Sequence, residues 1–415
     1  MRPVEVLRLS APLISRGRYA QFWCREAFRP LSLASLGHTV FSLEQKIREA
    51  RPDRALLPFA DELLVEGNDL GVLAEVERLI QLILLEDIDL DFYGLPKAPE
   101  IEEEPLAEAE ASCLFSGGVD SLCGVLKARQ EFSDVQAVFC AHIDQSKIQG
   151  IVNHLSGILL DKIGIPLVKL EVPPIGTGGF AQMRGFMYLV TGAAWMDFVG
   201  GDSLVISEVG PTMYQPRLAP LDEVTMTTHP YVVDSSRTLA RAILGKDVKF
   251  LMPFEDWTKA EVMAWCPRPE LLPLTHSCIS QRFGHHDGTC YGCVIRNLGA
   301  LAAGVPDVEY EADPVTTENV NKDNLLALLD FASVVLVDYD NLEYFRAENI
   351  EMFEKQDLFR RFALDVFCGL YRHKKSGGEL SEAIKRTYDL VLERVGKGEL
   401  EARIQELESL KALSN

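Results

Sequence analysis

Ser112-Cys113-Leu114-Phe115-Ser116-Gly117-Gly118-Val119-Asp120-Ser121 is the stretch on which the fold of this chain turns. Its first half is a short apolar run, bounded by turn residues, of the kind that forms a buried strand. Two glycines follow, and they let backbone amides turn inward and approach an anion with no Cβ in the way. The pattern then becomes helical through Leu126. A helix starting there offers unpaired amides and a dipole that favours negative charge. Ser116, Gly117, Gly118, Val119, Asp120 and Ser121 are therefore expected to cradle phosphate, with the two serine hydroxyls as further donors. Asp120 is expected either to cap the helix or to hold a magnesium ion on the phosphates. The loop is not of the Walker type, which ends in Gly-Lys-Ser/Thr.

Outward from this stretch, apolar runs and helical patterns alternate. Strands are expected at Val135–Ala141, Pro166–Val172, Leu204–Val209 and Val248–Phe254. Helices are expected at about 147–163, 182–198 and 235–244, and from Thr258. Apolar strands alternating with helices predict an α/β fold: a doubly wound, mostly parallel sheet covered on both faces. Ligands in such folds sit beyond the carboxyl ends of the strands. Past Ala312 the pattern is helical only. Toward the start, Pro99-Glu100-Ile101-Glu102-Glu103-Glu104-Pro105 reads as a solvated linker, because its charges repel and its prolines lack amide donors. The expected division is an accessory region at 1–98, a linker at 99–110, the α/β domain at 111–311 and a helical region at 312–415.

Composition narrows the function classes. With 47% hydrophobic and 25% charged residues over 415 positions, the chain has an ordinary globular balance and room for two or three domains. No run approaches the about 18 apolar residues of a membrane span. The first residues carry no signal-peptide pattern, so a cytoplasmic location is expected. A net charge of −21 argues against a broad nucleic-acid surface, whose affinity comes from Lys and Arg on phosphates. A small local tRNA or DNA footprint stays compatible with that sum.

Nine cysteines without a framework spacing suit a reducing compartment. Three of them, Cys278, Cys290 and Cys293, form C-x11-C-x2-C. The close pair is a knuckle whose turn lets two thiolates converge on a tetrahedral metal such as zinc. A closed site wants a fourth ligand. His276, His285, His286 and Cys266 are available, and His285 is the expected one. Persulfide chemistry at these cysteines and a metal-free remnant are the competing readings.

The segment Ser116–Ser121 resembles the SGGxDS signature of the PP-loop ATP pyrophosphatases, which form AMP and pyrophosphate while adenylating a substrate. Phe139-Cys140-Ala141-His142-Ile143-Asp144-Gln145, the segment Trp257-Thr258-Lys259-Ala260-Glu261 and Thr275-His276-Ser277-Cys278 are similar to segments of the 7-cyano-7-deazaguanine synthases in that superfamily. Arg296 departs from the pattern, since the family places a fourth cysteine there. The flanking regions make the chain resemble the extended QueC-like proteins of bacterial antiphage operons of the Qat and type IV CBASS kinds.

The resemblance implies ATP, Mg2+ and Zn2+ as cofactors and a deazapurine carboxylate as substrate. It implies adenylation at Asp120, with Lys259 and Arg184 as cationic contacts. His142, Asp144 and Gln145 are expected near the nucleotide base or ribose. Glu208, Gly210 and Tyr214 are expected on the acceptor side. An amine, either ammonia or a protein terminus from an operon partner, would then give an amide or nitrile. A tRNA sulfur-transfer enzyme and a catalytically silent nucleotide-binding assembly subunit are the alternatives.

Overall fold

The computed structural model describes residues 5–6, 54–60, 74, 77–78, 89–95, 109–142, 154–172, 184–214, 228–278, 284–315, 322–338 and 355–413. Of the first hundred residues it describes a parallel three-stranded sheet in the order β1 (Glu5–Val6), β2 (Arg54–Ala60), β3 (Asp89–Leu95). Ala74, Glu77 and Arg78 are helical, as the apolar pattern around them predicts. The Glu-rich core of the expected linker, 99–108, lies outside the described residues.

The main sheet has five parallel strands: β4 (Ala111–Leu114), β5 (Val135–His142), β6 (Leu167–Val172), β7 (Ser203–Val205) and β8 (Lys249–Leu251). Their order is β6-β5-β4-β7-β8. On β4, Cys113 stands opposite Ala137 on one side and Val205 on the other. Ala111, Ser112 and Cys113 are all fully buried, as expected of a central parallel strand covered on both faces. The chain runs outward from β4 through β5 to β6, then returns to the far side of β4 as β7. The gap between the carboxyl ends of β4 and β7 is thus the point where the winding reverses, the usual ligand crevice of such sheets.

Among the described residues, six α-helices accompany these strands: α1 (Val119–Glu131), α2 (Arg184–Phe198), α3 (Gly210–Met213), α4 (Pro230–Leu244), α5 (Lys259–Trp265) and α6 (Tyr291–Ala303). Helix α2 is apolar nearly all round, and Phe186, Val190, Ala193 and Trp195 are buried accordingly. Within the helix expected at 147–163, residues Gly157–Ile163 take the wider π-helical form and end at Gly164 in the left-handed region. Helix α4 begins at Pro230, five residues before Ser235. His229 caps it, its Nδ1 accepting from the Tyr231 amide at 3.3 Å, a cap that histidine rarely supplies.

The strand expected over Leu204–Val209 ends at Val205. Ile206 N–H still donates to Leu251 O at 2.8 Å, but the chain then leaves the ladder. The Gly210 amide is captured by the carbonyls of Phe254 and Trp257, both at 3.1 Å. A Cβ at Gly210 would lie 2.0 Å from the Glu255 carbonyl oxygen, so glycine is required for this close approach.

Four further helices follow: α7 (Lys322–Val337), α8 (Gln356–Lys375), α9 (Glu382–Val395) and α10 (Lys397–Leu413). Their apolar faces continue the core of the α/β layers, with Phe331, Phe359 and Phe367 in the same cluster as Met263, Val294 and Leu298. Fully burying each such phenylalanine stabilises the fold by roughly 1.5–3 kcal/mol. Among the described residues, no helix is long and apolar enough to cross a membrane.

Candidate functional site

The turn after β4 leads from the central strand into the N-terminus of α1. Phe115 N–H closes the sheet ladder on Val138 O at 2.8 Å, and Gly117 then adopts φ +86°, which L side chains resist. Ser121 Oγ donates to Gly118 O at 3.0 Å, and Ser116 Oγ donates to Ser121 Oγ at 3.3 Å. Gly118 is the N-cap of α1, and no side chain caps the helix there. The first-turn amides of α1 thus lack a side-chain acceptor, which is the arrangement that binds phosphate. Of the two roles open to Asp120 in the sequence, capping is the one the geometry does not use.

Asp120 Oδ2 pairs instead with Lys259 Nζ, which arrives at the first position of α5 beyond β8. Both side chains are largely buried, and Asp120 Oδ1 is buried without a hydrogen-bond partner. Glu208, on the segment that leaves β7, is the third member of the group. Burial, and then the neighbouring Asp120 carboxylate, push the Glu208 carboxyl up to about 7, against the opposing pull of Lys259. Loops after β4, β7 and β8 thereby bring two carboxylates and one ammonium to the switch point. With Glu208 ionised, the pair of carboxylates exceeds the single cation by one charge, and the cluster then suits a hard divalent cation with oxygen ligands.

The other expected residues fall less centrally. Arg184 opens α2 and is exposed. His142 closes β5, while Asp144 and Gln145 lie outside the described residues. Gly210 is buried in the packing described above. Tyr214 is also buried; its hydroxyl donates to Glu255 Oε1 at 2.9 Å, and the Lys355 ammonium stands 5.3 Å from its ring centre. These contacts hold Tyr214 as a core aromatic, the simpler of its two uses.

The three cysteines converge. Cys278, Cys290 and Cys293 sulfurs and an Asp287 carboxylate oxygen all lie within 4.8 Å of one another, a set able to hold a metal ion. Asp287 Oδ1 accepts from the amides of Thr289 at 2.8 Å and Cys290 at 3.0 Å, shaping the turn that precedes α6. Burial works against its charge, yet those two amides hold the Asp287 carboxyl below its ordinary value. The expected fourth ligand, His285, is not brought in: it is 58% exposed, and its Nδ1 faces Glu311 Oε1 at 3.0 Å. His286 is buried beside the cluster, its Nε2 accepting from the Ser277 amide at 3.4 Å. Asp287 takes the fourth place because a D-x-x-C turn carries the carboxylate to the first cysteine of the knuckle.

Arg296 is fully buried, at the position where the resemblance would place a cysteine. It donates to Asp307 Oδ1 at 2.7 Å, Leu272 O at 2.7 Å, and the carbonyl and hydroxyl of Thr275 at 3.0 Å each. The guanidinium clamps the segment that enters the cysteine cluster against α6. That segment in turn touches the phosphate turn, since His276 N–H donates to Gly117 O at 2.8 Å.

No protein-family model matches this chain, and no curated protein matches it.

Proposed function

We propose that the chain is an enzyme that uses ATP to adenylate a carboxylate and releases pyrophosphate. The observation that carries this reading is the convergence of Asp120, Glu208 and Lys259 at the mouth of a glycine turn opening α1. Amides of Val119 and Asp120 would bind the phosphate chain, with Ser116 and Ser121 bracing the turn and able to rotate their hydroxyls toward it. Lys259 is placed to neutralise charge that develops as pyrophosphate leaves. Asp120 and Glu208 would hold Mg2+, which would neutralise the phosphate oxygens when bound. Asp120 and Glu208 would be the carboxylates that hold the cation, and Lys259 would be the group that faces the pyrophosphate. Cys278, Cys290, Cys293 and Asp287 would hold Zn2+ in a closed structural site behind the phosphate turn.

The resemblance to the 7-cyano-7-deazaguanine synthases supports 7-carboxy-7-deazaguanine as the acceptor carboxylate, and an amine, from ammonia or a protein, as the group that displaces AMP. The test is pyrophosphate formation by the full chain with ATP, Mg2+ and the carboxy-deazaguanine, with and without ammonium. AMP and pyrophosphate in equal amounts, dependent on the acceptor, are expected. ATP bound but never cleaved under either condition would favour a nucleotide-binding assembly subunit instead.

A further inference from the structure

Thr258 and Glu261 cap the start of α5 reciprocally: Glu261 N–H donates to Thr258 Oγ1 at 3.2 Å, and Thr258 N–H to Glu261 Oε2 at 2.8 Å. Such a box normally stands at the surface, where it is sufficient alone. Here both residues are buried under the C-terminal helices. Thr258 Oγ1 donates to Asp365 Oδ2 of α8 at 2.5 Å. Arg403 of α10 donates from Nε to Asp365 Oδ1 at 2.8 Å and from Nη2 to Glu261 Oε1 at 2.7 Å. Arg361 of α8 pairs with the same Glu261 oxygen and donates to the Asp256 carbonyl at 2.9 Å.

Burying an aspartate and an arginine costs desolvation that their mutual attraction barely offsets, so such a network is weak as a stability device. What it supplies here is position. Lys259 follows Thr258 directly, so wherever Thr258 is held the Lys259 ammonium is aimed. Helix α8 also reaches the other side of the site: Leu358 packs on Gly210, where a Cβ would come within 2.5 Å of its Cδ2, and Lys355 lies over Tyr214. One helix therefore braces both the segment carrying Lys259 and the segment that follows Glu208.

We infer that Asp365 and Arg403 are positioning residues that set Lys259 against Asp120, so that the C-terminal helices are a working part of the nucleotide site. What Lys259 does once placed rests on the adenylation reading; its placement does not. Two readouts on the full-length protein separate these. The first is the rate at which an amine-acetylating reagent modifies Lys259, followed by peptide mass spectrometry, with Lys249 as an exposed internal standard. The second is the steady-state kinetics of pyrophosphate formation.

Arg403→Met is expected to raise Lys259 acetylation severalfold against Lys249 while circular dichroism stays that of the native protein. Its kcat is expected to fall about 100-fold with KM for ATP little changed, the signature of a misplaced catalytic group. Arg403→Lys, which keeps the charge and loses the fork, should lie between. Asp365→Asn preserves the shape of its side chain and carries the same test if Arg403→Met does not fold. Unchanged acetylation and kcat in a folded variant would overturn the positioning role while leaving adenylation intact. Faster acetylation in a protein whose wild type forms no pyrophosphate would uphold the positioning and overturn the adenylation.

Discussion

The amide of His276 donates to the carbonyl of Gly117 across 2.8 Å, joining the residue two places before Cys278 to the positive-φ glycine of the Ser116–Ser121 turn. The cysteine cluster and the turn are thus a single mechanical unit, although they lie more than a hundred residues apart in sequence. Removing the metal should be felt at the turn before it is felt by the whole fold. The purified protein is expected to carry close to one equivalent of zinc. Stripping it with a chelator should weaken ATP binding by about tenfold, or ~1.4 kcal/mol, measured by calorimetry at a temperature where the apo-protein remains folded. Full ATP affinity in zinc-free protein would break the link.

The ion pair of Lys259 with Asp120 provides the second expectation. Lys259→Met removes the charge that the proposed reaction sets against the leaving pyrophosphate and leaves the buried Asp120 carboxylate without that cation. Loss of such a stabilising group typically costs about 100- to 1,000-fold in kcat. Asp120→Asn should instead lose Mg2+ dependence, its residual rate responding little to metal concentration. Initial rates of pyrophosphate formation over a Mg2+ titration distinguish the two. Equal Mg2+ dependence in both variants would show that Asp120 is not a metal ligand.

Glu208 carries a third, in the sign of a pH effect. Its carboxyl titrates at about 7 in the folded chain, above the ordinary 4.5, so the folded state holds the proton more tightly than the unfolded state does. That contribution to stability is complete below pH 4.5 and fades as pH rises through 7. Glu208→Gln cannot ionise and escapes the loss. In metal-free buffer above pH 7 it should exceed the wild type by on the order of 2–3 kcal/mol, and near pH 4.5 the two should converge. Chemical denaturation at the two pH values measures this. A variant less stable than wild type at pH 8 would show that Glu208 ionises without strain.

Much of this was legible before any coordinates, for a definite reason. The turn from Ser116 to Ser121, the parallel strands and the cysteine knuckle are local patterns whose meaning rides on a few adjacent residues. Gly117 needs only its own φ, and β4 needs only burial on both faces. What stayed hidden depends on distant partners. Nothing adjacent to Asp365 or Arg403 marks them as partners of Thr258 and Glu261, because those contacts span 107 and 142 residues. Glu208 was legible as a carboxylate after a strand, but its nearness to Asp120 follows from the strand order, which a sequence of alternating elements leaves open. Asp287 was missed for a different cause. Residue type points to the nearby histidines and Cys266 as fourth ligands, whereas the D-x-x-C turn that brings a carboxylate to the cysteines is a matter of backbone geometry.

Arg296 gives the last expectation. Its position is the one where the resembling enzymes carry a cysteine, so Arg296→Cys appears at first to complete a four-sulfur site. The contacts argue otherwise. Removing the guanidinium takes the Arg296 donor from the Thr275 carbonyl and the arginine's ion pair from Asp307, and leaves Leu272 O only its bonds from Thr275, in a place where the arginine is fully buried. Breaking a buried pair of this kind costs about 3–5 kcal/mol. Asp287 already stands where a fourth ligand would, within 4.8 Å of the three sulfurs. Arg296→Cys should therefore melt well below the wild type, with no gain in zinc affinity in a competition titration against a chromophoric chelator. Asp287→Asn, by contrast, should weaken zinc binding by about 10- to 100-fold while lowering the melting temperature less. A tighter site in Arg296→Cys would mean that Asp287 only shapes the turn and that the metal takes its fourth ligand from position 296.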